Sequence, residues 1–307
     1  MSKVFSLLNY IGHKSKLLDQ ILHHFPDEVT GTFWDIFSGS CVVGLSSKCE
    51  DVVFVDNNKH LQNLYRNLQE EKFLFVLEQM IAQYDLTNSS IKPRSEYLKD
   101  PKIGTCTWQG KTIKNLHLDM LNQAGYKKLL SDYNSNKLST SLEKACGYMI
   151  LTLYGRNSNV STKKDGSLTG GVGPLDFSKR AKQKYKNHLE VMKDRKLLWT
   201  TDSFLNIKPK KDDFVYLDPP YLASGYKYAG WTEEDETNLL SWVDSLPCKW
   251  ALSNVFVSGN SKNTLLIEWS KKHKVIYLDK NYRKWAAKGK QTAKRQNKKN
   301  QEVLILP

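Results

Sequence analysis

Asp218-Pro219-Pro220-Tyr221 sets one carboxylate, two imino acids and one aromatic ring in four consecutive positions. An amine conjugated to a nucleobase ring is a poor nucleophile, because its lone pair is delocalised. A carboxylate and a backbone carbonyl that accept its two N–H groups return electron density to the nitrogen. An aromatic ring beside them can stack on a base taken out of a helix. Asp and Pro are also ordinary turn residues, so the four residues read equally well as a turn after a strand.

The elements around the motif decide where it can sit. Phe214-Val215-Tyr216-Leu217 is a short apolar run with the composition of a buried strand. Two prolines cannot continue a ladder, so the chain must leave the sheet at Asp218. In open α/β sheets that carboxyl edge is where ligands bind. Thr32-Phe33-Trp34-Asp35-Ile36-Phe37 reads as a strand broken by Ser38-Gly39-Ser40, with a helix from Val42. A glycine turn between strand and helix lets a small molecule approach the backbone. The strand Val52-Val53-Phe54-Val55 ends at Asp56, 17 residues after Gly39, the spacing of an acid that holds a ribose. Asp56 also reads as an N-cap for the next helix. Lys14 opens a helical pattern over residues 14–25, placed either to hold an anionic group or to be solvated.

Further strands are expected at 196–201, 249–253, 274–278 and 302–306, the last two as an antiparallel pair closing the sheet. Thr232 with Asp235 opens a helix to about 246, after Tyr226, Tyr228 and Trp231. Seven strands result. The stretch from 66 is polar with helical patches at 73–81 and 145–153 and no strand pattern of a parallel sheet. It ends in a segment, 157–173, where Asp165-Gly166 predicts a two-residue hairpin turn. Its arms are polar on both faces, a ribbon that suits a DNA groove and suits a surface finger too. The expected division is therefore 1–65 plus 181–307 as one domain and 66–180 as an inserted module.

The net charge is +14, which points to a polyanionic partner. Nine cations and no acid lie between Lys280 and Lys299, and without them the chain carries only +5. The five cysteines form no CxxC pair and no metal-ligand spacing with histidine, so no metal is expected and the thiols read as reduced. No secretory segment opens the chain, and no run reaches the roughly 18 apolar residues of a membrane span, so a cytoplasmic location is expected.

The order of these motifs, with Tyr10-Ile11-Gly12-His13-Lys14 before them and Asp202-Ser203-Phe204 and Ser253-Asn254-Val255 among them, resembles the Dam-type DNA adenine methyltransferases, most closely the phage-type members. The resemblance spans nearly the whole chain and is weakest between about 70 and 150. It implies a Rossmann-like α/β fold, a seven-stranded S-adenosylmethionine-dependent methyltransferase sheet with a mostly helical DNA-recognition insert. It implies S-adenosylmethionine as cofactor, with Tyr10, Lys14 and Asp35 at the methionine end, Asp56 at the ribose, Phe37 and Gly39 lining the cradle and Phe204 near the adenine. Asp218 would touch both cofactor and target amine, with Pro219, Pro220 and Tyr221 completing the catalytic loop. Duplex DNA is the expected partner, read with Asn157, Asn159, Lys163 and Lys164, with base flipping and a cognate restriction endonuclease as further expectations. The chain departs from the family at Cys41, where a second cradle glycine is usual, and at Thr169-Gly170-Gly171-Val172-Gly173, which replaces an Asn-x-Pro-Phe-Gly run, so the resemblance carries no GATC site to this chain.

Overall fold

A computed structural model describes residues 4–8, 12, 14–100, 118–223, 230–278 and 300–307, together with the backbone pairing of 105–108 and 111–114. Two compact units emerge, Met1–His13 with Asn58–Asp194, and Lys14–Asn57 with Arg195–Pro307. These bounds lie elsewhere than 65/66 and 180/181. The helices Lys59–Asn67 and Lys179–Met192 group with the helical unit. The cause is visible at Tyr185, whose ring stacks on Phe73 at 5.4 Å and whose hydroxyl donates to the Leu68 carbonyl at 3.3 Å.

The second unit is built on a sheet of β1 (Phe33–Ile36), β2 (Asp51–Val55), β3 (Lys196–Thr200), β4 (Phe214–Leu217), β5 (Lys249–Ser258), β6 (Lys274–Leu278) and β7 (Gln301–Leu306). The order across the sheet is β6-β7-β5-β4-β1-β2-β3. β4 lies parallel between β1 and β5, and all four of its residues are buried, as a near-continuous apolar run requires. β1 pairs in parallel with β2, and β2 with β3. β7 is antiparallel to both β5 and β6, so the expected closing hairpin forms. The seven expected strands are all present. β5 runs five residues further than the sequence suggests, and Ser261–Lys262 folds back on its end as a short eighth strand. Val215, Leu217, Leu252, Val303 and Ile305 are fully buried at its centre.

In the helical unit every residue from Ala145 to Tyr154 of the helix Ser141–Tyr154 is buried. A helix apolar on all sides belongs at the centre of its unit. A capping box between Thr140 and Glu143 starts it. An antiparallel pair, Thr105–Trp108 with Lys111–Lys114, was not anticipated; threonines flanking Gln109-Gly110 were the available signal. Among the described residues no helix is long and apolar enough to cross a membrane.

Candidate active site

Three backbone hydrogen bonds carry the ladder one step past the strand ends. Ser38 N–H donates to the Val55 carbonyl, Asp56 N–H to that of Thr200 and Asp218 N–H to that of Ile36, at 3.0, 3.1 and 3.2 Å. The loops after β1, β2 and β4 therefore leave one edge of the sheet side by side. Phe37, Gly39 and Cys41 all adopt positive φ, at 60°, 44° and 55°. Cys41 N–H closes the turn on the Ser38 carbonyl at 2.7 Å. The turn is thus tight although position 41 is not glycine. A left-handed cysteine costs roughly 1–2 kcal/mol, which explains why a glycine suits that position.

Asp56 does not cap the following helix. Asn58 does, accepting from the N–H groups of His60 and Leu61. Asp56 Oδ2 instead accepts from Gly39 N–H at 2.9 Å, which ties the end of β2 to the glycine turn. Asp35 is 2% exposed, and its Oδ2 accepts from Gly44 N–H at 2.9 Å inside the helix Val42–Ser46. Burial first, with Asp218 and Asp56 nearby, holds its carboxyl well above the usual carboxylate range.

Lys14, on the short 3₁₀ turn Lys14–Lys16, is buried, and its Nζ lies 2.5 Å from each Asp218 oxygen. Tyr221 Oη donates to Asp218 Oδ1 at 2.8 Å, and Lys14 Nζ stands 5.1 Å from the centre of the Tyr221 ring. Burial beside Asp218 pushes the Tyr221 phenol well up, so it remains a donor. Three contacts occupy a carboxylate that offers about four acceptor directions. Pro219 is buried and Pro220 half-buried, which fixes the loop.

On the same edge Phe37 meets Phe204 at 5.4 Å and the Trp231 ring at 5.6 Å, edge-on. Trp231 Nε1 donates to Glu236 Oε2 at 2.8 Å, and Glu236 also accepts from Asn263 and Asn254. Glu236 has no solvent exposure, and burial raises its pKa. Sequence reasoning missed this buried acid; its only signal was an extra acid one position past the capping box. Tyr10, Tyr226, Tyr228 and the basic stretch 280–299 lie outside the described residues.

The helical unit carries the other expected contact residues. Asn157, Asn159, Lys163 and Lys164 are all exposed. Asn157 and Asn159 precede, and Lys163 and Lys164 lie at the turn of, a hairpin that pairs Ser161 with Thr169 and Thr162 with Leu168. Its turn differs from the expected Asp165-Gly166 pair. Gly166 N–H bonds to the Lys163 carbonyl and Lys163 N–H to that of Ser167, at 2.9 and 2.8 Å, with Gly166 at φ 83°. Lys164 and Asp165 are the central residues and Gly166 is the left-handed one that follows, the three-residue alternative. Nor are both faces of the arms free, because Val160 and Leu168 are buried.

A mostly parallel sheet with a glycine turn after β1, an acid after β2 and Asp218-Pro219-Pro220-Tyr221 after β4 defines a Rossmann-like methyltransferase. Residues 10–284 match the family model of the D12 class N6 adenine-specific DNA methyltransferases, and the chain belongs to that family. The family implies a methyl donor of the S-adenosylmethionine type and a DNA substrate. The chain is 27% identical over 297 residues to the type II methyltransferase M.FokI of Planomicrobium okeanokoites, covering 92% of this chain and 40% of that protein. It is 29% identical over 321 residues to the modification methylase StsI of Streptococcus sanguinis, covering 98% and 42%. It is 19% identical over 241 residues to the retron Ec67 DNA adenine methylase of Escherichia coli, covering 78% and 72%. The chain thus spans about two fifths of the length of the first two relatives.

Proposed function

We propose that this protein transfers a methyl group from S-adenosylmethionine to the N6 amine of an adenine flipped out of duplex DNA. The observation that carries the reading is the Asp218 carboxylate, fixed by Lys14 and Tyr221, on one sheet edge with the Gly39 turn and Asp56. The donor set fits the cofactor. Asp56 suits a ribose, Phe37 and Phe204 offer aromatic faces to an adenine, and the left-handed Gly39 leaves backbone open to close approach. Lys14 and Asp35 belong with the methionine end, as does Tyr10.

S-adenosylmethionine, when bound, supplies an electrophilic methyl on a good leaving group. The chain supplies position and charge. Asp218 and the Pro219 carbonyl accept the two N6 hydrogens and stabilise the positive charge that develops on nitrogen. Tyr221 stacks on the extruded base, and the two prolines keep the loop from relaxing away. Asn157, Asn159, Lys163 and Lys164 belong to the DNA contact, within a helical unit that serves as recognition module. The relatives named as modification methylases support a modification role; a cognate endonuclease and a cytoplasmic location complete the reading.

The test is transfer of labelled methyl to unmethylated duplex DNA of mixed sequence, followed by mapping of the modified bases. Label on adenine within one short motif is expected. Label on cytosine would change the substrate, and tight DNA binding without label would reduce the protein to a binder.

A further inference from the structure

The hairpin Ser161–Thr162/Leu168–Thr169 is held on one side by the helices of its own unit. Asn134, the last residue of the helix Asp119–Asn134, uses both ends of its amide on one hairpin residue. Its Nδ2 donates to the Leu168 carbonyl at 2.9 Å and its Oδ1 accepts from Leu168 N–H at 2.8 Å. The side chain acts as a short neighbouring strand. His60, on the helix Lys59–Asn67, bonds the Gly166 carbonyl through Nε2 at 3.2 Å and the Tyr133 hydroxyl through Nδ1 at 2.8 Å. Its ring also stacks on Tyr148 at 5.7 Å. Leu168 is 1% exposed and anchors the arm between these two bonds. Gly170 passes so close to Tyr126 that an added Cβ would lie 2.9 Å from its hydroxyl.

The register then sorts the arms into two faces. Directly paired residues share a face, and neighbours along a strand alternate. Val160, Thr162 and Leu168 therefore share one face, where Val160 and Leu168 are buried and Thr162, next to the turn, is exposed. Asn159, Ser161 and Thr169 point the other way, and all three are exposed. Asn, Ser and Thr carry the short hydrogen-bonding groups that read base edges, whereas the lysines at the tip are suited to phosphates.

We propose that Asn134 and His60 are positioning residues for sequence recognition, fixing the hairpin so that Asn159, Ser161 and Thr169 form its reading face. This rests on the proposed contact between the hairpin and DNA. A one-residue slip or a rotation of the ribbon would exchange its two faces, which is why a bidentate grip on the Leu168 backbone bears on specificity as well as stability.

Once the methylated motif is mapped, kcat/KM is measured on that duplex and on duplexes with one base pair changed. Asn134→Ala and His60→Ala should each lower the ratio between cognate and changed sites about tenfold, mainly through KM for DNA. Affinity for S-adenosylmethionine should stay as in the parent protein, and Leu168 amide exchange should speed up. Thr169→Val should lower the same ratio without faster exchange. Asn134→Asp, which keeps the acceptor for Leu168 N–H, substitutes if Asn134→Ala does not fold. Ratios within twofold of the parent in both clamp variants overturn the proposal, provided that Lys163→Ala/Lys164→Ala weakens DNA binding. If that double variant binds and discriminates normally, it is the hairpin's contact with DNA that fails.

Discussion

Lys14 Nζ sits 2.5 Å from both oxygens of Asp218, across 204 positions of sequence. The lysine is 3% exposed and the aspartate 20%. Removing one member of such a pair leaves the other charge poorly solvated. Asp218→Ala should therefore abolish methyl transfer and also lower stability, by about 1–3 kcal/mol. Asp218→Asn, which keeps a carbonyl oxygen and the shape, should lose activity with a smaller shift in Tm. Full turnover by a folded Asp218→Ala protein would remove the assignment.

Tyr221 contributes a face and a hydroxyl. Tyr221→Phe loses only the bond to Asp218 Oδ1, worth about 1–2 kcal/mol. Under the proposed mechanism Tyr221→Ala also loses stacking on the extruded base, about 1–3 kcal/mol. The alanine variant should therefore be slower than the phenylalanine variant by tenfold or more. Equal rates for the two would show that the ring does not stack.

Asp56→Ala removes the acceptor for Gly39 N–H at the cradle. KM for S-adenosylmethionine should rise by roughly tenfold or more while KM for DNA changes little. Isothermal titration of the donor alone provides the check, and an unchanged donor affinity would place the ribose elsewhere.

Asp35 has its pKa raised by burial, so the folded state holds its proton more tightly than the unfolded chain. That contribution is present at low pH and is lost as pH rises from about 3.8 through the raised value. Asp35→Asn, which can still accept from Gly44 N–H, should raise Tm at pH 7.5 relative to the parent and leave the two proteins closer at pH 4. A lower Tm at pH 7.5 would mean that the ionised form is the one the fold stabilises.

His188 gives the opposite slope. It is 1% exposed, its Nδ1–H donates to the Lys184 carbonyl, and burial lowers its pKa to about 4. Stability is fully present above pH 6.5 and falls as pH drops towards 4, by up to about 3 kcal/mol at 1.4 kcal/mol per pH step. His188→Leu should flatten that slope in urea unfolding between pH 7 and pH 4.5. An unchanged slope would place the acid sensitivity in other groups.

The sequence alone determined the sheet and its chemical edge. A four-residue apolar run cut off by two prolines has to be a buried strand ending at Asp218, and a glycine turn after one strand with an acid after the next can be read by spacing. Strand identity follows from local composition and is legible for that reason. Pairings across long separations are not local, and the tertiary structure decided them. Lys14 could be a solvated lysine or a ligand until the fold set it against Asp218, 204 residues away. Asp56 could cap a helix until Asn58 took that task and left its carboxylate to Gly39. The hairpin looked polar on both sides because only its register puts Leu168 against Asn134 and turns Ser161 and Thr169 outward. Glu236 has no sequence signal beyond its place after the capping box; three N–H donors from Trp231, Asn254 and Asn263 close around it only in the fold. A side chain's type states what it can bond, but its partner is chosen by packing, and packing is a property of the whole chain.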